Sequence, residues 1–358
     1  MRAGPHPIEA DRRFSPVSNL RESMRKSIRS FVYSWLNLCM VLLLAMPAMA
    51  TEAQDPRLQQ ALAQLADKAR PGILGITVLD LGTRAQTRIN ADRAYPMMSV
   101  FKVPVAAAVL AQVDAGRIRL AQEVTIDHRD VVDGAAVPSI GAHFRGDHMH
   151  FTVDRLLVAA VSESDNTAVD ALIRLVGGPH VVTDFLRMHG IDGMRVDLDE
   201  AEVGRIFDDT ANVQSISARE TEQAALVRLR RGYQAYLDDP RNRTTTDAAA
   251  NFLEKLWSGQ LLSADSTKRL LGLMYGQTVP NRLRAGLPVG VRLADKCGTS
   301  YSLEGETAAF NDIGIVTWPN GHTIIVAAFL TASKADKKAR DALFSMIGKA
   351  VTYTPQVP

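Results

Sequence analysis

The hydrophobic positions of this chain change period twice, and each change marks a change of element. Leu58, Leu62 and Leu65 repeat at helical spacing in a polar background, which predicts a first amphipathic helix. Residues 73–79 form a β-rich run closed by the turn sequence Asp80-Leu81-Gly82-Thr83, and 84–90 supply a partner strand. Residues 100–110 are apolar on every face apart from Lys102, so they predict a buried helix. Pro104 lies within that run and is compatible with it only near the helix start. From 115 to 275 the pattern is helical, at 153–161, 168–175, 181–188, 220–236 and 248–256, with few convincing strands. β-rich segments return at 291–294, 308–316 and 322–330, with Asn320-Gly321 as a hairpin signal, and 334–351 closes the chain as an amphipathic helix. Strands at both ends with helices between them predict an α/β fold. An antiparallel sheet flanked by terminal helices is built from 51–115 and 276–358, with an all-α domain inserted at 116–275.

The first fifty residues follow none of this. Arg25, Lys26 and Arg29 precede an apolar run at 31–46, and Ala48-Met49-Ala50 follows it, which reads as a cleavable secretory signal. That run is shorter than the ~20 residues a spanning helix needs, so a retained anchor is the lesser alternative, and Met24 is a candidate start. Removing 1–50 takes away seven Lys/Arg and three Asp/Glu, leaving 34 against 36 and a net charge near −2 in place of +2. Nothing in that balance calls for nucleic acid or an anionic membrane as a partner. Cys39 leaves with the signal, so Cys297 is the one remaining thiol and the exported protein must rely on its core.

Three short motifs then carry the chemistry: Ser99-Val100-Phe101-Lys102, Ser164-Asp165-Asn166 and Lys296-Cys297-Gly298. A serine hydroxyl is a poor nucleophile until a base takes its proton. With Ser99 at the first turn of a helix, Lys102 lies one turn up on the same face, and an apolar setting favours its proton-accepting form. The helix N-terminus also aims backbone N–H groups at Ser99, which suits an oxyanion. Ser164 and Asn166 fall on a tight connection between two helices, where Asp165 has the residue type of a cap. Lys296 ends a β-rich segment before Gly298, whose missing side chain lets a ligand lie against the strand. Taken singly, each motif reads equally well as a cap, a snorkelling lysine or an exposed strand lysine.

Together and in this order they resemble the class A serine β-lactamases, over roughly residues 56 to 352. The flanking words Pro96-Met97-Met98-Ser99, Val161-Ser162-Glu163-Ser164 and Asn311-Asp312-Ile313-Gly314-Ile315 add to the likeness, and the first looks most like an extended-spectrum branch. The resemblance implies a serine β-lactamase/transpeptidase-like fold and hydrolysis of penicillins or cephalosporins through a Ser99 acyl-enzyme. Lys102 would serve in the proton network and Ser164, assisted by Lys296, would protonate the departing nitrogen. Asn166 would hold the substrate amide, and the N–H groups of Ser99 and Thr299 would form the oxyanion hole. Lys296, Thr299, Ser300, Cys297 and Arg282 would receive the substrate carboxylate. Glu200, in Asp197-Leu198-Asp199-Glu200-Ala201-Glu202, matches the glutamate that activates the deacylating water, with Glu202 as the other assignment. The protein implied is an exported monomer, periplasmic or secreted, with a small β-lactam as its partner and no metal or cofactor.

Four departures qualify this. Cys297 stands where the family has Thr or Ser, and a thiol is the weaker donor to a carboxylate. Gly204 replaces an Asn that helps hold the water, which predicts slower deacylation. Val137 falls at a site-mouth position often held by an aromatic residue. His143, Asp147, His148 and His150 raise a zinc hypothesis, although their spacing fits no closed site and a solvated loop is favoured. The rival activities are a D-alanyl-D-alanine carboxypeptidase or transpeptidase, and a binder that acylates and stays acylated. Glu200 argues against both.

Overall fold

Segments from the two ends of the chain meet in one sheet, and the helices between them close over one of its faces. The computed structural model describes Met1, Gly4 and residues 55–210, 220–279 and 281–353. Helix α1 (Pro56–Lys68) leads into strands β1 (Ile73–Asp80), β2 (Gln86–Ile89) and the two-residue β3 (Tyr95–Pro96). A 3-10 turn at Met98–Phe101 then enters helix α2 (Lys102–Asp114). Strands β4 (Glu123–Asp127) and β5 (His148–Thr152) precede helices α3 (Val153–Val161), α4 (Asn166–Val176), α5 (Pro179–Met188), α6 (Glu200–Phe207) and α7 (Glu222–Asp238). Next come β6 (Arg243–Thr244), α8 (Thr246–Trp257) and α9 (Ala264–Tyr275). Strands β7 (Arg292–Thr299), β8 (Ser302–Leu303), β9 (Glu306–Thr317) and β10 (Thr323–Ser333) lead to the final helix α10 (Lys337–Val351).

The main sheet has the order β2-β1-β10-β9-β7, with β8 paired to β9, and each of these pairings is antiparallel. Strands β1 and β10 read as nearly continuous apolar runs because both of their faces are covered. Leu74, Ile76 and Val78 of β1 face outward with Ile324, Val326 and Ala328 of β10, packing with Leu58, Leu62 and Leu65 of α1 and Phe344 and Ile347 of α10. Ile313, Ile315, Ile325, Ala327 and Phe329 face inward and share a core with α2, α3, α4 and α8. Helix α2 is buried from Lys102 to Leu110, as its uniformly apolar sequence predicts, and Pro104 sits in its first turn.

Caps fix the helix starts. Asp55 accepts from Arg57 N ahead of Pro56, Thr152 from Arg155 N, and Asp165 from Ala168 N. Four features differ from the sequence reading. Residues 200–207, where no helix was expected, form helix α6. Helix α9 was not expected; only Leu270 and Met274 of its apolar residues are fully covered, so its periodic signal is thin. Strands β4 and β5 pair with each other and bury only Ile126, which hides them among helical patterns. The 317–323 turn also encloses more than Asn320-Gly321, since Trp318 N donates to His322 O and Pro319 widens the loop. The expected signal at 25–50, Cys39 included, lies outside the described residues. No described helix is long and apolar enough to cross a membrane.

Candidate active site

The Ser99 turn is pinned from three sides before α2 begins. Asn311 of β9 donates its amide to Pro96 O at 2.7 Å and Met97 O at 3.0 Å, and Met97 N donates to Asn242 O at 3.1 Å. Gly298 of β7 provides the third side. A Cβ there would lie 2.5 Å from Met97 O and 3.1 Å from Ser99 N. The absent side chain is therefore required by the protein's own backbone, which corrects the expectation that a ligand occupies this gap. Strand β7 also runs past Lys296 to Thr299, because register with β9 continues through Thr299 opposite Phe310. Met98 takes a left-handed φ of 45°, a strained conformation held by this packing immediately before the nucleophile position.

Behind Ser99 stand two fully buried lysines. Lys102 Nζ donates to Ser164 O at 2.7 Å and to Asn166 Oδ1 at 2.5 Å, and lies 3.2 Å from Glu200 Oε1. Lys296 Nζ donates to Ser164 Oγ at 2.9 Å and to Cys297 O at 3.0 Å. Burial, first, and then the neighbouring charges of Lys102 and Arg282, hold the Lys296 pKa down to about 8, against the opposing pull of Cys297 and Asp295. Ser164 thus bridges the two cations, through its carbonyl on one side and its hydroxyl on the other. It does so at a left-handed φ of 61°, between α3 and α4. Asp165 has the structural task its residue type suggests, accepting from Ala168 N at 2.8 Å and Gly141 N at 3.2 Å.

Glu200 is the first residue of α6 and only 5% exposed. Its helix start is fixed by two devices. Asp199 and Glu202 form a capping box, with Glu202 Oε2 accepting from Asp199 N at 3.0 Å. That commitment removes Glu202 as the alternative base. Asp170 of α4 supplies the second device, accepting from Glu200 N at 2.8 Å and Ala201 N at 3.0 Å. Burial, reinforced by Asp199 and Glu200, pushes the Asp170 pKa up to about 8, while the two amides pull it down. The sequence reading missed Asp170, although a lone acid in the apolar run Ala168-Val169-Asp170-Ala171-Leu172 was a usable signal.

Ser99, Ser164, Asn166 and Glu200 line one cleft of about 570 Å³, together with Thr299 and Ser300. Arg282 and Cys297 border it too, but both are largely withdrawn. The Arg282 guanidinium lies 3.8 Å over the Phe310 ring and donates to Gly298 O at 3.0 Å, to Asn311 O and to Thr299 Oγ1. Asp312 holds the adjacent backbone, accepting from Leu283 N at 3.2 Å. Strand alternation puts Cys297 on the face opposite Lys296, beside Asp312, where Gln277 Nε2 donates to its sulfur at 3.5 Å. The Ser300 hydroxyl is engaged with backbone, accepting from Ala309 N and donating to Tyr301 O. Val137 is not among the described residues that line the cleft; Val132, Asp133 and Gly134 fill that rim. His148 and His150 meet edge to face with ring centroids 5.5 Å apart, but the other two members of the cluster do not complete a ligand set with them. His143 bonds Ser139 O and His150 bonds Thr125 Oγ1, and no metal-holding group of three or more ligands occurs among the described residues. Pro280, two residues before Arg282, lies outside the described residues.

A nucleophile turn, two buried ammonium groups, a buried carboxylate and a hydroxyl beside a departing-group position suit acyl transfer followed by hydrolysis. Comparisons with known proteins agree. The family model described as "Beta-lactamase enzyme family" matches residues 57–354. The chain is 30% identical over 310 residues to the extended-spectrum beta-lactamase PER-1 of Pseudomonas aeruginosa, covering 86% of this chain and 91% of that protein. Among solved structures, an ancestral class A beta-lactamase is 35% identical with a TM-score of 0.67, covering 83% of this chain and 99% of that one. A beta-lactamase from Chitinophaga pinensis is 28% identical with a TM-score of 0.69, covering 82% and 97%.

Proposed function

This chain belongs to the beta-lactamase enzyme family, and on that footing we propose how its own residues divide the family's reaction. It is a serine hydrolase that opens the β-lactam amide through an acyl-enzyme, which inactivates the antibiotic. Ser99 attacks the lactam carbonyl, and its proton leaves through the Lys102–Glu200 pair. The N–H groups of Ser99 and Thr299 receive the oxyanion. Ser164, polarised by Lys296 at 2.9 Å, hands its proton to the ring nitrogen. Asn166 holds the substrate amide. Thr299 accepts from Arg282, so its own hydroxyl proton is free to turn toward the substrate carboxylate, supported by Lys296. Cys297 and Ser300 border that position. Glu200 then takes a proton from water as the water oxygen bonds to the acyl carbon; the Ser99 Oγ–acyl bond breaks, a proton returns to Ser99 Oγ through the Lys102–Glu200 pair, and the product leaves. One observation carries this reading: a buried carboxylate 3.2 Å from the Lys102 ammonium, lining the same cleft as Ser99.

The same proposal includes the division into a sheet domain (51–115 and 276–358) and an inserted helical domain (116–275). It also includes export to the periplasm or medium as a monomer, on the strength of the 25–50 pattern. The test mixes the purified mature protein with nitrocefin, a chromogenic cephalosporin, and follows turnover and protein mass together. Repeated turnover supports the hydrolase. A single stable adduct makes the protein a binder, and cleavage of D-Ala-D-Ala peptides with negligible lactam turnover makes it a carboxypeptidase.

Two predictions arise here. Lys296 loses its charge as pH rises through about 8, so kcat/KM for carboxylate-bearing lactams falls on an alkaline limb centred there. Lys296→Arg moves that limb upward, because a guanidinium stays charged. A pH profile flat from 7 to 10 contradicts the assignment. At Gly204, an added Cβ meets nothing within 4 Å, and the position lines the cleft near Glu200. Gly204→Asn therefore fits and offers the water one more hydrogen bond, raising deacylation by roughly 2–10-fold. An adduct that decays no faster in the variant contradicts it.

A further inference from the structure

Tyr236 touches both halves of the proposed machinery from behind. It lies on α7 and is buried. Its hydroxyl donates to Met98 Sδ at 2.8 Å, and Met98 is the left-handed residue immediately before Ser99. Its ring stacks on Phe207 with centroids 4.0 Å apart and 28° between planes, and Phe207 is the last residue of α6, which Glu200 begins. The Arg243 guanidinium lies 5.1 Å from the ring centroid. One turn earlier, Gly232 brings the α7 backbone against the end of α6, where a Cβ would lie 2.2 Å from Phe207 O. Arg231 ties α7 to Asp209, just beyond α6, at 2.7 Å. Helix α7 is thus docked on the helix of the base, and Tyr236 reaches across it to the nucleophile turn.

We propose that Tyr236 is a positioning residue that sets the two half-reactions through two separable contacts. The hydroxyl fixes the Met98 side chain and with it the strained turn that aims Ser99, so it governs acylation. The ring holds the far end of α6, so it governs where Glu200 stands during deacylation. The inference rests on the roles given to Ser99 and Glu200 above. A group acting only on global stability would slow neither step selectively in the folded protein.

The test measures acylation and deacylation separately, by rapid quench and intact mass, with a penicillin as the probe. Tyr236→Phe keeps the ring and loses the hydroxyl, and is expected to slow acylation roughly fivefold while leaving deacylation within about twofold of the parent. Met98→Leu removes the sulfur acceptor and is expected to do the same. The double variant should be no slower than either single one, because both delete the same contact. Tyr236→Leu removes ring and hydroxyl, and is expected to slow deacylation as well, by roughly tenfold. Parental acylation in Tyr236→Phe, or losses that multiply in the double variant, overturn the inference. So does an equal slowing of both steps in Tyr236→Phe. A parent protein that never forms a Ser99 adduct instead overturns the functional reading beneath it, which keeps the two failures distinct.

Discussion

Replacing Lys102 with methionine is expected to slow acylation and deacylation together, each by roughly 10²–10³-fold, and to lower stability by about 3–5 kcal/mol. The reason is the company this ammonium keeps. It is fully buried, holds Ser164 O and Asn166 Oδ1, and lies 3.2 Å from Glu200, itself 5% exposed. Removing the cation leaves the nearly buried Glu200 carboxylate without the ammonium beside it. Glu200 then lacks the ammonium with which it shares the proton transfers of both steps. The loss therefore spreads from the residue changed to the residue left behind. Denaturant unfolding measures the stability and stopped-flow turnover of nitrocefin measures the rates. A variant with parental turnover would contradict the coupling.

Glu200→Gln separates the two steps instead. Glutamine keeps the size of the side chain, and the Asp199–Glu202 box and the Asp170 contacts involve backbone N–H groups that the substitution retains. Lys102 keeps its bonds to Ser164 O and Asn166 Oδ1. The nucleophile turn is untouched, so Ser99 is expected still to acylate. An amide does not take a proton from water at neutral pH, so deacylation should fall by about 10²–10⁴-fold, the usual worth of a general base. Steady-state turnover then collapses while bound acyl group accumulates. Stability should fall, because the buried Lys102 ammonium loses the Glu200 carboxylate beside it, but by less than in Lys102→Met, since its bonds to Ser164 O and Asn166 Oδ1 remain.

Much of the fold was legible because the apolar periods were strong. Helix 153–161 and the strand near 73–79 follow from local patterns, and sheet membership follows from strands at both ends of the chain. What escaped was local structure with little apolar signal, such as β4 and β5, where polar residues alternate with few buried ones. The site was legible as residue types and not as contacts. Ser99, Lys102, Ser164 and Glu200 were named from motifs. That Ser164 bridges both lysines through one carbonyl and one hydroxyl depends on its left-handed φ, which no spacing reveals. Arg282 was placed at the carboxylate site, yet its guanidinium lies over the Phe310 ring and donates to backbone carbonyls and Thr299. Gly298 was given to the ligand, whereas the chain's own Met97–Ser99 backbone claims it. Each of these depends on a partner distant in sequence, and periodicity is blind to such partners.

The claim beneath all of this is that a carboxylate shut in beside an ammonium frees the enzyme from its own intermediate. The most direct check is rapid-quench intact mass on the parent and Glu200→Gln proteins, each mixed with one penicillin and sampled over time. A fleeting adduct in the parent and a stoichiometric, persistent adduct on the Ser99 peptide of the variant is the predicted outcome. Adducts of equal lifetime in both proteins would contradict it.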